Sequence, residues 1–244
     1  MTLIYDLARK MQGLDRAVPL SLRVPFRYKC QRIFGGLEPE MHLLPKLVAP
    51  DKIAVDVGGN RGSYTYALSR LCRQVVTFEP IPDCAHVLMS WAKGRNVEVH
   101  ECGLGDHEEN LLLHLPRVNG SLVTTRASFA HSENDGVDLP VQIRTLDQFD
   151  LADVGFIKID VEGFELSTLK GAENTLRRCR PNLLVEIDFK SQTVEQSDET
   201  FAWLNAQNYQ SHYFDGKDMI VCGADIRSKG LSIYNFIFFP KSDL

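Results

Sequence analysis

A short stretch at residues 53–63, IAVDVGGNRGS, places an acidic residue directly before a glycine-rich turn. Asp56 lies near the end of a β-branched apolar run that is typical of a buried strand. The following residues tolerate a positive φ or a close approach of the backbone to a ligand. They are Gly58, Gly59, Asn60 and Gly62. Where a strand of an α/β sheet turns into its helix, such a turn favours a nucleotide-like ligand.

The acidic residue distinguishes between two such ligands. A dinucleotide places its pyrophosphate on this kind of turn, usually over G-x-G-x-x-G, and the carboxylate of Asp56 would repel it. The pattern here is D-x-G-x-N-x-G. S-adenosylmethionine contains no phosphate and carries a sulfonium and an ammonium group, so an acidic group near the turn is tolerated or helpful. We therefore assign Asp56 and the four turn residues to a cofactor site.

A second carboxylate fits an adenosyl ligand. Glu79 closes the next apolar run, VVTFEP, 23 residues after Asp56, where an acidic side chain accepts hydrogen bonds from both ribose hydroxyls. Pro80, which follows it, is assigned to the same site. Because NAD and S-adenosylmethionine share this diol, Glu79 does not distinguish between them. Both carboxylates could instead be exposed strand-end acids in ordinary turns.

Three charged residues surround the end of a later apolar run, VGFIKID. If the strand stays regular, Lys158, Asp160 and Glu162 share one side of it, and charges in the sheet interior are costly without partners. Asp160 and Glu162 are our candidates for a general base and for positioning an acceptor, with Lys158 holding their charge or orienting a hydroxyl. The alternative is a structural ion pair.

A polar segment from Asn119 to Asp135 supplies two further candidates. His131 lies where it would contact a substrate and is included among the catalytic residues. Ser121 is placed to bind an acceptor or the methionine end of the cofactor. Glu186 and Asp188 end another strand, and several carboxylates at one edge would suit Mg²⁺. The divalent cation stays an open alternative, and no metal ligand is assigned.

The elements that must position these residues alternate between strands and amphipathic helices. From Lys52 onward we predict three strands, IAVDV, QVVTFEP and NVEVHE, separated by helices over 62–71 and 82–92. This alternation favours βαβ units and a parallel sheet. The pattern continues with a strand, VGFIKID, then a single helix over FELSTLKGAENTLRR, then another strand, NLLVEID. The tail predicts a helix near 200–206, a strand near 209–214 and a last strand, SIYNFIFF, that reverses direction.

The resulting fold prediction is α/β, a Rossmann-like doubly wound sheet in a domain over residues 47–244. Residues 106–148 interrupt the alternation and are interpreted as an inserted hairpin or flap. Residues 1–46 are interpreted as an N-terminal helical cap or lid.

Composition narrows the partners. The net charge of -5 gives no overall attraction to nucleic acid or to anionic membranes, although a local basic patch is compatible with it. No apolar run approaches the roughly 20 residues of a membrane span, and the N-terminus lacks the apolar core of a signal peptide. Six scattered cysteines favour reduced thiols. We predict a cytoplasmic protein with no nucleic-acid partner and no membrane span, and no oligomeric state is predicted.

Several segments together resemble the FkbM family of S-adenosylmethionine-dependent methyltransferases. They are DVGGNRGSYTYALSR, FEPIPDCAHVL, GLGD, IKIDVEGFELSTLKGAENTL and PNLLVEID. The resemblance implies the class I methyltransferase fold with an antiparallel last strand. Asp106, in GLGD, is assigned to the cofactor site with these motifs. The family typically has Ala in place of Gly59, a small-for-small difference that leaves the resemblance intact.

The resemblance also implies a reaction, because members of the family are linked mainly to O-methylation of sugars, polysaccharides, glycolipids and polyketides. The resemblance therefore implies, as our leading hypothesis, an S-adenosylmethionine-dependent O-methyltransferase that acts on a small-molecule or glycan acceptor, at a hydroxyl of a sugar, a polysaccharide or glycolipid precursor or a related secondary metabolite. The alternatives are an NAD-type oxidoreductase, opposed by Asp56, and a non-catalytic adenosyl-binding module, opposed by the charged segment at 158–162.

Overall fold

The computed structural model describes residues 17–118, 121–124, 127–129, 135–189, 192–223, 226–229 and 234–241. The strands are β1 (Ile53–Val57), β2 (Gln74–Phe78), β3 (Val97–His100), β4 (Gly103–Leu104), β5 (Glu109–Val118), β6 (Ser121–Leu122), β7 (Gly136–Arg144), β8 (Val154–Ile159), β9 (Asn182–Glu186), β10 (Tyr209–Phe214), β11 (Met219–Val221) and β12 (Asn235–Pro240). The α-helices are α1 (Leu20–Phe34), α2 (Leu44–Leu47), α3 (Ser63–Leu68), α4 (Pro82–Ala92), α5 (Glu165–Lys170), α6 (Glu173–Cys179) and α7 (Val194–Ala206). Short 3₁₀ helices span Pro39–His42, Leu146–Phe149 and Ile226–Lys229.

Eight strands form the central sheet in the order β11-β10-β12-β9-β8-β1-β2-β3. Within this sheet, the adjacent strands β9, β8, β1, β2 and β3 pair in parallel. Strand β12 is antiparallel to both of its neighbours, β9 and β10. This confirms the predicted doubly wound sheet with an antiparallel last strand. The strand order reverses between β1 and β8, and ligands of open α/β sheets bind at such a point, beyond the carboxyl ends of the strands.

Two apolar cores cover the two faces of this sheet. Successive strand residues point to opposite faces, so Val55 and Ile157 join one core while Ala54 and Phe156 join the other. The first core includes residues of α5, α6 and α7, and the second includes residues of α2 and α3. The near-continuous burial of β1 and β8 follows, because both faces of these central strands are covered.

The predicted insertion contains a long hairpin. Strand β5 pairs antiparallel with β7 from Glu109 opposite Ile143 to Pro116 opposite Gly136. Its inner side chains, which include Leu113 and Val141, pack on the start of α4. The hairpin therefore lies beside the carboxyl edge of the sheet.

Both ends of this insertion are fastened to the α5–α6 segment. At the entry, Thr168 Oγ1 donates to the Leu104 carbonyl at 2.9 Å, and Ser167 Oγ bonds to Asp106. At the exit, Asp147 Oδ1 accepts hydrogen bonds from the Thr175 amide at 2.8 Å and hydroxyl at 2.7 Å. These bonds fix the two points where the hairpin leaves and rejoins the domain.

The described part of the N-terminal segment lies against the same domain. In α1, Val24 is fully buried and packs with Val87, Leu88 and Trp91 of α4. Tyr28 contacts Tyr66 with ring centroids 4.7 Å apart. Residues 1–16 of the predicted cap lie outside the described residues.

Three details of the predicted elements need correction. The single helix over 164–178 is two helices, α5 and α6, because a Cβ at Gly171 would lie 1.8 Å from the Gly105 carbonyl oxygen and the chain bends at this contact. The helix predicted over 62–71 ends at Leu68. Strand β11, at the edge of the sheet, was not predicted, since three residues give no periodicity.

Within the described residues, no helix has the length and apolarity needed to cross a bilayer.

Candidate functional site

A cavity of about 260 Å³ lies at the carboxyl edge of β1, β2, β8 and β9. The glycine turn and the end of β2 form one side, and the end of β8 and Glu186 form another. Hairpin residues complete it. They are Leu113, Thr124, Ala127 and Phe129. The cavity therefore lies at the point where the strand order reverses, as the topology requires of a ligand site.

Gly58 makes the turn at the end of β1 possible. Its φ of 80° lies in the left-handed region, and a Cβ there would lie 2.0 Å from the Asp160 carbonyl oxygen. Its amide donates to the Phe78 carbonyl at 2.9 Å. The turn is thus held between the ends of β2 and β8 and lines the cavity together with Asn60, whose φ is 42°.

The other two glycines serve packing beneath the turn. A Cβ at Gly62, where φ is 84°, would lie 2.7 Å from Leu88 and 2.9 Å from Val24. A Cβ at Gly59 would lie 2.3 Å from Thr77 Cγ2. Ala at position 59 would therefore require Thr77 to move, because the buried Thr77 side chain occupies the space.

Replacing Gly59 with Ala is expected to lower the free energy of unfolding by roughly 1–3 kcal/mol, the usual cost of overpacking a core. Gly36→Ala is the matched control, because its nearest neighbours would lie 3.6 Å or more from the new Cβ. Chemical denaturation of both variants gives the measurement. Equal stabilities would contradict the packing argument.

Backbone amides fix the carboxylate of Glu79 next to the glycine turn, beside which the sequence predicted it. One carboxylate oxygen accepts a hydrogen bond from the Asn60 amide at 2.5 Å, and the other accepts from the Ile81 amide at 2.8 Å. The side chain lines the cavity beside Pro80 but is only 2% exposed. Burial raises the pKa of Glu79 to about 7, against the lowering effect of the two amides. Each oxygen keeps a further lone pair for a ligand hydroxyl.

Asp56 lies below the turn rather than in the cavity. It is fully buried, and its Oδ2 accepts a hydrogen bond from Thr65 Oγ1 of α3 at 2.6 Å. Its Oδ1 has no hydrogen-bond partner among the described residues. Burial raises the pKa of Asp56, and the nearby Lys158 opposes that rise. The structure therefore places Asp56 as a brace between β1 and α3, away from the lining of the cavity.

Lys158 and Asp160 form the charged centre of the site. The Lys158 Nζ lies 2.6 Å from Asp160 Oδ2 and 4.8 Å from the Tyr64 ring centroid, and its side chain is 2% exposed. Burial alone would lower the pKa of Lys158, but Asp160, Asp56 and Glu38 outweigh it and raise that pKa. Lys158 is therefore a buried cation among several carboxylates, with Asp160 between it and the cavity.

The strand does not stay regular as far as Glu162. β8 ends at Ile159, and Glu162 has a φ of 44° followed by Gly163 at 91°. The predicted alternation of charges is thus wrong beyond Asp160, because the chain turns there. Glu162 nevertheless lines the cavity with Asp160.

Sequence reasoning missed two acidic residues that matter to this geometry. Glu38 lines the cavity from the N-terminal segment and accepts hydrogen bonds from Tyr64 Oη at 2.6 Å and Asn235 Nδ2 at 3.0 Å. Nothing in its sequence neighbourhood indicates this position. Glu165 is 3% exposed and accepts from the Gly163 amide at 2.8 Å. The sequence feature that could have identified Glu165 is the E-G-x-E spacing at 162–165, because a carboxylate two residues after a glycine can accept a hydrogen bond from the glycine amide and close the turn.

Glu186, at the end of β9, joins the cavity as the sequence suggested, while Asp188 does not line it. Burial, followed by the charge of Asp160, raises the pKa of Glu186 to about 9. Five carboxylates consequently line one cavity. They are Glu38, Glu79, Asp160, Glu162 and Glu186. In the described parts of the chain, no three His, Cys, Asp or Glu side chains are grouped to hold a metal ion.

The hairpin touches the glycine turn directly. Thr124 Oγ1 donates to Asn60 Oδ1 at 3.2 Å, and Asn60 Nδ2 donates to the Thr124 carbonyl at 3.4 Å. Phe129 packs on Phe164, which follows the β8 turn, with ring centroids 4.7 Å apart. The hairpin therefore covers the cavity from the side opposite the sheet edge.

Of the other predicted site residues, Asp106 is not brought to the cavity. Asp106 lies at the surface, where it bonds to His107 at 2.7 Å and to Ser167 at 3.1 Å. Ser121 is in β6, paired with the end of β5, but its side chain is not among the described features. His131 lies outside the described residues.

Comparison with known proteins gives relatives among methyltransferases. Methyltransferase 1 of Beauveria bassiana (strain ARSEF 2860) is 29% identical over 168 residues, which cover 57% of this chain and 67% of that protein. The crystal structure of methyltransferase FkbM from Methylobacillus flagellatus KT is 19% identical with a TM-score of 0.48, over 90% of this chain and 57% of that chain. This chain thus matches little more than half the length of that relative.

A further solved structure agrees in fold alone. A Clostridium thermocellum protein, provisionally called an rRNA methylase, has a TM-score of 0.50 at 10% identity, over 84% of this chain and 95% of that chain. The family model of the methyltransferase FkbM domain matches residues 56–211, from the glycine turn to β10. The match includes Asp56 and Glu79, the hairpin, and the charged end of β8. Because it covers more than half of the chain, the chain belongs to the FkbM methyltransferase family.

Proposed function

We propose that the protein transfers a methyl group from S-adenosylmethionine to a hydroxyl oxygen of a sugar, a polysaccharide or glycolipid precursor, or a related secondary metabolite. The observation that carries the proposal is that one cavity combines two halves of different chemistry. The half at β1 and β2 offers an adenosyl site around Glu79. The half at β8 and β9 offers carboxylates for a hydroxyl acceptor.

The residues of the first half fit S-adenosylmethionine. Glu79 presents a buried carboxylate at the end of β2, and Phe78, Ile81 and Leu104 supply apolar surface for an adenine ring. Among the described lining residues, none is Lys or Arg, so no side-chain cation there is available to pair with a pyrophosphate. When bound, the cofactor supplies an electrophilic methyl group. The chain's own task is to hold the acceptor oxygen near that methyl and to take its proton.

Asp160 is the best placed residue for that proton. It lines the cavity, its side chain is 30% exposed, and Lys158 stabilises its carboxylate from below. Glu186 has a pKa of about 9, so it is protonated at neutral pH and donates a hydrogen bond to an acceptor instead. We assign Glu162 to acceptor positioning, since it borders the cavity on the turn after Asp160.

We also propose that the acceptor is a polyhydroxylated small molecule or glycan rather than a nucleic acid. Carboxyl groups exchange hydrogen bonds with several sugar hydroxyls, whereas the ionised members of the five around this opening repel phosphates. The net charge of -5 acts in the same direction.

The experiment is a transfer assay with methyl-labelled S-adenosylmethionine, a panel of mono- and oligosaccharides and an RNA control, followed by mass spectrometry of the product. A methyl ether on a sugar is the expected product. Methylated RNA, or a methyl group found on nitrogen or carbon, would contradict the proposal. Calorimetric titration with S-adenosylmethionine, S-adenosylhomocysteine and NAD tests the cofactor half independently.

Glu79→Ala is expected to weaken S-adenosylmethionine binding by about 1–3 kcal/mol, because the ribose hydroxyls lose a charged acceptor. For the wild-type chain, affinity should also fall as the pH drops below about 7, since Glu79 then becomes protonated and loses acceptor capacity. Titration at pH 6 and pH 8 measures both effects.

The neighbouring Asp56 and Asp160 also influence Glu79, so the control is the same pH series on Glu79→Ala. The variant should lose most of the pH dependence. Binding that is unchanged in Glu79→Ala, at equal folded fraction, would remove Glu79 from the cofactor site.

A further inference from the structure

Helix α1 presents apolar side chains to solvent as well as to the core. On its inner side Val24 is fully buried, while Leu22 and Ile33 are 52% and 74% exposed. At about 100° per residue, Leu22 and Ile33 project within roughly 20° of each other, and Phe26 lies within roughly 40° of Leu22. We call Leu22, Phe26 and Ile33 the outer stripe of α1. It faces away from α4 and from the cavity.

Cations surround this stripe. Within Leu20–Phe34 there are four basic residues and no acidic residue, although the chain as a whole carries a net charge of -5. By helical spacing, Lys29 projects within the sector of the stripe, and Arg23 and Arg32 flank it at about 80–100° on either side. Long basic side chains beside an apolar face are typical of helices that lie in the plane of a membrane interface.

We propose that α1 docks its outer stripe on an anionic lipid surface. The apolar side chains would enter the boundary of the acyl chains, and the flanking cations would meet the lipid phosphates and carboxylates. A two-fold contact between copies of this chain is disfavoured, because it would bring Arg23, Lys29 and Arg32 of both copies together. A neutral apolar partner would leave the charges without a role.

The position of α1 gives this docking a consequence for the site. Gln31 of α1 accepts a hydrogen bond from Ser63 Oγ at 2.5 Å, and the chain after α1 reaches Glu38 on the cavity. A second recess of about 140 Å³, lined by Gln31, Gly36 and Asp160 among others, connects the end of α1 with the charged centre. A docked α1 would therefore present its outer stripe to the lipid while its opposite side borders the site.

Flotation with vesicles tests the proposal on the full chain. Vesicles of phosphatidylcholine alone are compared with vesicles that contain roughly 30 mol% phosphatidylserine. The wild-type protein should float with the anionic vesicles only, and less so at high salt. Leu22→Glu/Ile33→Glu should lower the bound fraction at least tenfold. The matched control is Val194→Glu on α7, since Val194 is 49% exposed and distant in sequence.

Melting temperatures and sedimentation velocity accompany the flotation. Both variants should melt like the wild type, because all three side chains are exposed. Failure of the wild type to float with anionic vesicles would overturn the proposal, and so would equal flotation of the double variant. A dimer that the double variant dissociates, without vesicle binding, would make the stripe an interface between copies and also overturn it.

Discussion

Asp160→Asn is expected to lower turnover by roughly 10²-fold or more while S-adenosylmethionine affinity stays near that of the wild type. The reason is that loss of a general base removes assistance to proton transfer, which typically contributes this much, and leaves the adenosyl half of the cavity intact. Asp160 lines the cavity beside the acceptor half and is separated in sequence and strand from Glu79. Turnover and calorimetric affinity, measured on one preparation, separate the two effects.

Glu162→Gln is the companion variant. A positioning role predicts a raised KM with a smaller loss of kcat than in Asp160→Asn. A purely structural ion pair at Asp160 predicts a lower melting temperature and a proportionate loss of binding and turnover. If activity disappears with EDTA and returns with Mg²⁺, the carboxylates act through a metal instead. Full turnover in both variants would end the assignment of this segment as catalytic.

Lys158→Met is expected to cost roughly 3–5 kcal/mol in the free energy of unfolding, because it leaves buried carboxylates without their cation. The Lys158 side chain is 2% exposed and lies near Asp56, Asp160 and Glu38. Chemical denaturation measures the loss. The double variant Lys158→Met/Asp160→Asn should regain part of it, since the unpaired charge at Asp160 is then removed.

The pH dependence of this ion pair has a definite sign. Because the pKa of Lys158 is raised above its ordinary 10.5 in the folded chain, its contribution to stability is fully present below pH 10.5 and is lost as the pH rises further. If Lys158→Met were as stable as the wild type, or if the double variant were the less stable of the two, the charges would not form the coupled centre described above.

The fold was predictable because its signals are local and repeated. Helix α4 begins and ends where the spacing of Cys84, Val87, Leu88 and Trp91 placed it, and the strands at β1, β8 and β9 follow from their apolar runs. The break at Gly171 was not predictable, because it depends on the Gly105 carbonyl, which is distant in sequence. The pattern of Leu169 and Leu176 continues through that break as if it were one helix.

The site was predictable only where strand ends dictate position. Glu79 and Asp160 lie on the cavity because parallel strands end at one edge. Asp56 lies within β1, one residue before its end, and its side chain points to the same face as Ala54, where it accepts a hydrogen bond from Thr65; the local pattern did not show which helix covers that face. Glu38 reaches the cavity through tertiary packing of the N-terminal segment, which no local pattern encodes.

The two fastenings of the hairpin suggest that this part of the chain is exchangeable. Leu104 and Asp106 at its entry, and Asp147 at its exit, are tied to the α5–α6 segment by bonds that do not involve the hairpin strands. Only the residues between these ties that contact neither the glycine turn nor α4 can change without disturbing the adenosyl half, since Thr124 bonds to Asn60 and Leu113 packs at the start of α4. Relatives could thus acquire new acceptors by varying that part of the hairpin, and transplanting it between family members offers a route to redirected specificity.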